Sequence, residues 1–169
     1  MSHILCPVDF SEPSRNALRH AVVVARRRRA RLTVLFVNDP LLAAAAAAAA
    51  YDVGKLSATD GIELKRFIRR AVGPAAESIA SMTALGHPAP EIEKAVNRLG
   101  IDLVVMGTNG LSGPLKWFLG STTEHVLRTT KVSVLVVPNS TTGARTRSSA
   151  LSTWPGRQVV APIDLDRHS

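Results

Sequence analysis

The chain has a single cysteine, Cys6, set in the apolar run Ile4-Leu5-Cys6. One thiol closes no internal disulfide, and a structural metal site draws on several Cys or clustered His. Cys6 therefore reads as a buried, reduced core residue. Aromatic residues are also scarce, at 4% of the sequence against 46% hydrophobic residues overall. A core so poor in rings is built from Val, Leu, Ile and Ala, which suits a buried parallel sheet with continuous aliphatic strands. No apolar stretch approaches the roughly 18–20 residues of a membrane span, and the N-terminus has no basic-then-apolar leader pattern. The expectation is a cytoplasmic protein with no membrane partner. Acidic residues fall short of basic ones, 13 against 21, for a net charge of +8. The excess is concentrated in residues 26–29 with Arg31, and in Lys65, Arg66, Arg69 and Arg70. No aromatic residues are interleaved with these cations as stacking platforms would require. They are expected to be solvated helix faces, with no specific nucleic-acid partner.

What is present is a repeating order of elements. Residues 3–8 form an apolar strand, followed by Asp9-Phe10-Ser11-Glu12-Pro13. Ser11 is a good N-cap and Pro13 suits the first helical turn. Ala17, Leu18, Ala21, Val22, Val24 and Ala25 then recur at helical spacing up to the arginine cluster. Residues 32–37 form a second strand, stopped by Asn38-Asp39-Pro40, which completes a β-α-β unit with parallel strands. Leu41-Leu42 and the alanine tract 43–50 follow; alanine favours helix but specifies no packing. A helix over 58–72 places Ile62, Phe67 and Ile68 opposite its basic face and ends at Gly73-Pro74. A weaker strand spans 78–84, and a short helix spans 91–99 with Ile92, Ala95, Val96 and Leu99 on one face. Gly100 caps that helix. A fourth strand over 101–106, a glycine-rich loop over 107–119, a helix over 120–130 and a fifth strand over 132–137 complete the pattern. Strand and helix alternate four times and end on a strand, which predicts an open five-stranded parallel sheet, Rossmann-like, with helices on both faces.

The first 138 residues thus form one domain. Residues 139–157, rich in Ser, Thr, Gly and Arg, read as a linker. Val159-Val160-Ala161-Pro162-Ile163-Asp164 then repeats the form of Ile4-Leu5-Cys6-Pro7-Val8-Asp9. Residues 158–169 resemble the opening of a second copy, as in a tandem protein, or match by the chance likeness of a short strand.

Open parallel sheets bind ligands beyond the carboxyl ends of their strands, where strand order reverses. Three segments arrive there: Pro7-Val8-Asp9, Val37, and the loop after strand four. That loop reads Met106-Gly107-Thr108-Asn109-Gly110, nine further residues, then Gly120-Ser121-Thr122. Gly107 and Gly110 permit tight turns and close approach of a ligand to the backbone. Gly120-Ser121-Thr122 opens a helix, whose free N–H groups suit phosphate oxygens. Lys116 is placed either to reach a terminal phosphate or to point into water. The loop is no P-loop, since no Gly-Lys-Ser/Thr follows the glycines.

The spacing Gly107-x2-Gly110-x9-Gly120-Ser121 resembles the glycine signature of the ATP-binding branch of the universal stress protein family. The resemblance runs from His3 to Val137, through the Pro-Val-Asp end of strand one and Glu124-His125-Val126-Leu127-Arg128. It implies strand order 3-2-1-4-5 and ATP as ligand, with or without Mg or Mn on the phosphates. It also implies that Asp9 and Val37 hold the adenosine portion. Met106, Gly107 and Gly110 would then line the ribose and phosphates, with Gly120, Ser121 and Thr122 on the phosphates. The alanine tract and the orphan repeat depart from the family pattern.

Rapid phosphoryl transfer needs metal ions and a residue that orients the nucleophile. Asp9 is the one strong carboxylate among the expected pocket residues, and His125, one turn past Ser121, is expected to face solvent or pack. The expected function is therefore an adenine-nucleotide-binding stress-response or signalling module with slow hydrolysis at most. The alternatives are a slow ATPase or phosphotransferase, or a nucleotide-free dimeric scaffold. In the family's order strand five is an apolar sheet edge, which implies a homodimer through that strand or through the C-terminal strand.

Overall fold

The computed structural model describes residues 2–39, 53–108 and 119–138. Its elements are β1 (His3–Val8), α1 (Glu12–Arg28), β2 (Arg31–Asn38), α2 (Val53–Val72), a 3-10 segment (Gly73–Ser78), β3 (Ala80–Leu85), α3 (Pro88–Leu99), β4 (Leu103–Gly107), α4 (Ser121–Thr129) and β5 (Ser133–Val137). The five strands form one parallel sheet in the order β3-β2-β1-β4-β5. The alternating pattern predicted the sheet, and the order is the one the family resemblance implies.

Side chains alternate along each strand, so the sheet serves two cores. On one face Ile4, Cys6, Val8, Val34 and Val105 pack against α1 through Ala17, Leu18 and Ala21 and against α2 through Leu64, Phe67 and Ile68. On the other, Leu5, Leu35, Val104 and Met106 meet Ile92, Ala95 and Val96 of α3 and Val126 of α4. Each fully buried Leu, Ile or Val contributes about 1.5–3 kcal/mol relative to exposure. The aliphatic composition is thus spent on a two-faced sheet. Among the described residues no helix is long and apolar enough to cross a membrane.

The helix ends follow from local chemistry. Ser11 caps α1, its hydroxyl accepting from the Ser14 N–H at 3.3 Å. The other end of α1 closes on Arg29, which takes the left-handed conformation at φ 50°, and Arg26, Arg27 and Arg28 occupy the last turn, exposed, against the negative end of the helix. Gly100 ends α3 in the left-handed region at φ 60°.

Several boundaries differ from expectation. The helix expected from residue 58 begins at Val53, and α3 begins at Pro88 rather than 91, because proline at the first helical position needs no N–H partner. The strand expected over 78–84 is preceded by a 3-10 turn to Ser78 and runs Ala80–Leu85. β4 starts at Leu103, two residues after the expected start, although Ile101 is buried. Ile62 is 56% exposed, not packed beside Phe67 and Ile68. Leu64, Phe67 and Ile68 define the buried stripe of α2, and two residues before Leu64 lies about 200° away around the helix.

At the amino ends of the strands, buried His3 ties three elements together. One ring nitrogen lies 2.9 Å from the Thr33 hydroxyl and the other 3.2 Å from the Leu99 carbonyl, while its N–H donates to Asp102 Oδ2 at 2.7 Å. That backbone bond holds the Asp102 carboxyl below the usual carboxylate range. This end of the sheet is locked; the other end is arranged differently.

Candidate functional site

The strand order reverses between β1 and β4, and the ladder that joins them is short. Their register pairs Ile4 with Leu103 and Leu5 with Val104 and goes no further, although β1 continues to Val8 and β4 to Gly107. On its other side β1 stays paired with β2 through Val8 and Phe36. Pro7, which has no N–H to give a ladder, stands two residues past the last β1–β4 pair. In open α/β sheets the ligand crevice lies outside the carboxyl ends of the strands at such a reversal, here beyond Val8 and Gly107.

The chain leaving β1 builds one wall. Asp9 Oδ1 accepts from the Ser11 N–H at 3.1 Å and from the Ser11 hydroxyl at 2.5 Å. The Asp9 N–H lies 3.4 Å from the Ser14 hydroxyl. Phe10, between them, has φ 64°, a left-handed conformation that side-chain-bearing residues rarely adopt. The half-buried Asp9 carboxylate thus has one oxygen engaged by the turn and Oδ2 without a partner among the described residues.

The chain leaving β4 builds the opposite wall. The Thr108 N–H donates to the Val137 carbonyl at 3.1 Å, and the Gly120 N–H donates to the Thr108 carbonyl at 2.7 Å. The buried Thr123 hydroxyl donates to the Gly107 carbonyl at 2.9 Å. Residues 107–108 and 120–123 are therefore stapled, and the N-terminus of α4 is fixed against the end of β4. Gly107 also has a packing role: a methyl group there would lie 3.1 Å from the Pro13 carbonyl carbon, carbonyl oxygen and Cβ. The missing side chain at Gly107 makes room for α1. Asn16 Nδ2 adds a 3.3 Å bond from α1 to the Pro138 carbonyl, beyond β5.

The expected site residues fall into distinct groups. Pro7, Val8 and Met106 are buried, with Val8 and Met106 packed into the two cores. Val37 is half-buried at the end of β2 against the α3-side core. Asp9, Gly107, Thr108, Gly120, exposed Ser121 and half-buried Thr122 lie at the carboxyl end of the sheet. Gly110, Asn109 and Lys116 lie outside the described residues, as do the alanine tract, the linker and the C-terminal repeat. His125 is exposed.

Sequence reasoning passed over three features of this end. Thr123, not Thr122, is the hydroxyl tied to β4, and its spacing of three from buried Val126 was the available signal. Asn38 Nδ2 donates to buried Asp60 of α2 at 2.8 Å, and half-buried Asp39 sits 3.6 Å from exposed His87. Two further carboxylates therefore stand beyond β2. The left-handed Phe10 had no sequence signal.

A family model described as the universal stress protein family matches residues 1–138. Universal stress protein MJ0531 of Methanocaldococcus jannaschii is 29% identical over 136 residues, covering 79% of this chain and 80% of the relative. Among solved structures, universal stress protein UspA from Lactobacillus plantarum is 27% identical with a TM-score of 0.66, covering 80% of this chain and 97% of that one. A universal stress protein solved in complex with cAMP shares the fold at 22% identity and a TM-score of 0.58, covering 81% of this chain and 96% of that one. With a parallel sheet in the same order as its sequence signature implies and a model match across the whole described region, the chain belongs to the universal stress protein family.

Proposed function

We propose that the crevice between β1 and β4 binds an adenine nucleotide, ATP, and that the protein is a nucleotide-binding stress-response or signalling module with slow hydrolysis at most. The observation that carries this reading is the reversal of strand order between β1 and β4, with the chain leaving each strand braced by its own hydrogen bonds. In this reading Asp9 Oδ2, which has no partner among the described residues, accepts from the base or ribose, and Val37 packs on the nucleoside. Gly107, Thr108 and Gly110 border the ribose and phosphates. The first turn of α4, with Gly120, Ser121 and Thr122, presents N–H and hydroxyl donors to phosphate oxygens. The α4 end is suited to anions by its dipole as well as by its donors. A protein of the same fold holding cAMP supports an adenine nucleotide as the ligand class. Any Mg or Mn would ride on the phosphates, with Asp9 the nearest carboxylate of this proposed set, and would neutralise phosphate charge.

The reading of binding over turnover rests on the residues offered. The proposed set has a single carboxylate and no histidine positioned as a base. Denaturing the purified protein and separating the released small molecules by chromatography tests the site: ATP, ADP or AMP in stoichiometric amount is expected. No released nucleotide, with no heat of binding on adding ATP, overturns it. A steady-state turnover above about 1 s⁻¹, the low end of ordinary enzymes, would replace the module with an ATPase or phosphotransferase.

A further inference from the structure

We propose that Phe10 is a positioning residue, whose ring holds the chain in a left-handed bend that fixes the Asp9 carboxylate at the mouth of the crevice. This rests on the nucleotide reading for its purpose but not for its geometry. A residue at φ 64° is ordinarily glycine, because a side chain crowds the backbone there. Here the position carries a ring, and the ring is what holds it. Phe10 stacks on Phe36 with centroids 4.3 Å apart and planes at 26°, and meets the edge of Phe67 at 5.4 Å and 67°. The Arg15 guanidinium covers the Phe67 ring at 5.4 Å, and its Nη1 pairs with Glu12. In a sequence with 4% aromatic residues, three phenylalanines from β2, α2 and the β1–α1 turn gather beside the expected nucleoside end.

The bend has a definite product. It turns the chain between strand and helix within one residue, so that Ser11 falls back toward the preceding carboxylate. Asp9 Oδ1 then takes both the N–H and the hydroxyl of Ser11, which fixes the carboxylate plane and leaves Oδ2 without a partner among the described residues. An extended residue 10 would carry Ser11 away and release the side chain of Asp9 to rotate. A carboxylate already fixed in the orientation a ligand requires loses less freedom on binding. The rings thus act on the ligand through Asp9 and not by touching it.

Phe10→Ala, which keeps the crowded left-handed position but removes the ring, tests the idea with two readouts. Without ligand, exchange of the Ser11 amide should accelerate at least 10-fold while the β1 amides stay protected. With ligand, ATP affinity should fall about 10-fold and inorganic triphosphate affinity about 2-fold or less. In an Asp9→Asn background the same change should cost no further ATP affinity. Phe10→Gly, which tolerates the left-handed φ, should retain more Ser11 protection than Phe10→Ala. Unchanged Ser11 exchange, or equal acceleration of Ser11 and the β1 amides, overturns the proposal whatever ATP does. A wild-type protein that fails to bind ATP overturns the nucleotide reading instead, and the exchange comparison still decides the role of Phe10.

Discussion

Thr123 donates its hydroxyl to the carbonyl of Gly107, 2.9 Å away, from a buried position in the first turn of α4. The bond joins the end of a strand to the start of the helix after its loop. Thr123→Val keeps the shape and removes the donor, leaving a buried carbonyl unpaired. The expected loss is about 1–3 kcal/mol of unfolding free energy, read from urea denaturation, together with weaker ATP binding by calorimetry. Unchanged stability would mean that the carbonyl finds water.

Gly107 and Gly120 should respond in opposite ways. Gly107→Ala places its methyl 3.1 Å from the backbone and Cβ of Pro13, so it should cost about 1–3 kcal/mol of stability before any ligand is added. Gly120 has φ −63° and ψ 146°, a conformation open to any residue, and its N–H bond to Thr108 survives substitution. Gly120→Val should therefore fold with a melting temperature near wild type and lose ATP binding, because the side chain crowds the phosphate approach. Full ATP affinity in Gly120→Val would remove α4 from the site.

Asp9→Ala should weaken ATP at least as much as inorganic triphosphate. The carboxylate leaves the sheet beside the expected nucleoside, and Ser11 keeps its capping bond to Ser14 without it. A larger loss for triphosphate in parallel titrations would point to a metal role instead.

Cys6 has no exposed surface, and burial pushes its thiol well above the ordinary range. The folded protein should resist thiol reagents at pH 8 and react at the rate of unfolding. The sign for stability is definite. The unfolded thiol ionises above about pH 9 while the buried one keeps its proton, so the folded state binds more protons and stability falls as pH rises past that point. The slope from this group is about 1.4 kcal/mol per pH unit. Cys6→Ala should remove that component of the alkaline stability loss.

The sheet edge at β5 leaves Val134, Leu135 and Val136 half-buried with β4 as the single neighbouring strand. Such an edge invites pairing, and a homodimer by sedimentation is the expected assembly. Deleting residues 139–169 tests the C-terminal strand as a cover. A change in mass or melting temperature assigns it that part, and no change leaves the dimer to β5.

Much of this was legible from the amino-acid pattern, for reasons that differ by element. The runs behind β1 and β4 are buried on both faces, so both read as strands, although the start of β4 was placed two residues early. β3 is a half-exposed edge containing Ala80, Ser81 and Thr83, and its start was misplaced because little burial constrains it. Ile62 was misassigned because an isoleucine on a helix looks like core until the phase is fixed by Leu64, Phe67 and Ile68. The same ambiguity hid Thr123 behind Thr122, since one residue turns a side chain by about 100°. The glycine spacing marked Gly107 and Gly120, which the structure brings together at the carboxyl end of the sheet. It did not reveal that Gly107 accommodates Pro13, since a close approach between distant segments leaves no local mark.

The 2.7 Å bond between Gly120 and Thr108 joins the two ends of the segment that separates β4 from α4. Thr108 and Gly120 are thereby held together whatever the length of chain between them. Its length can change with a conformational penalty that grows only logarithmically, about 0.6 kcal/mol per doubling, while β4 and α4 keep their places. If this end of the sheet binds nucleotide as proposed, insertion and deletion between Thr108 and Gly120 would alter ligand preference and leave the sheet beneath untouched.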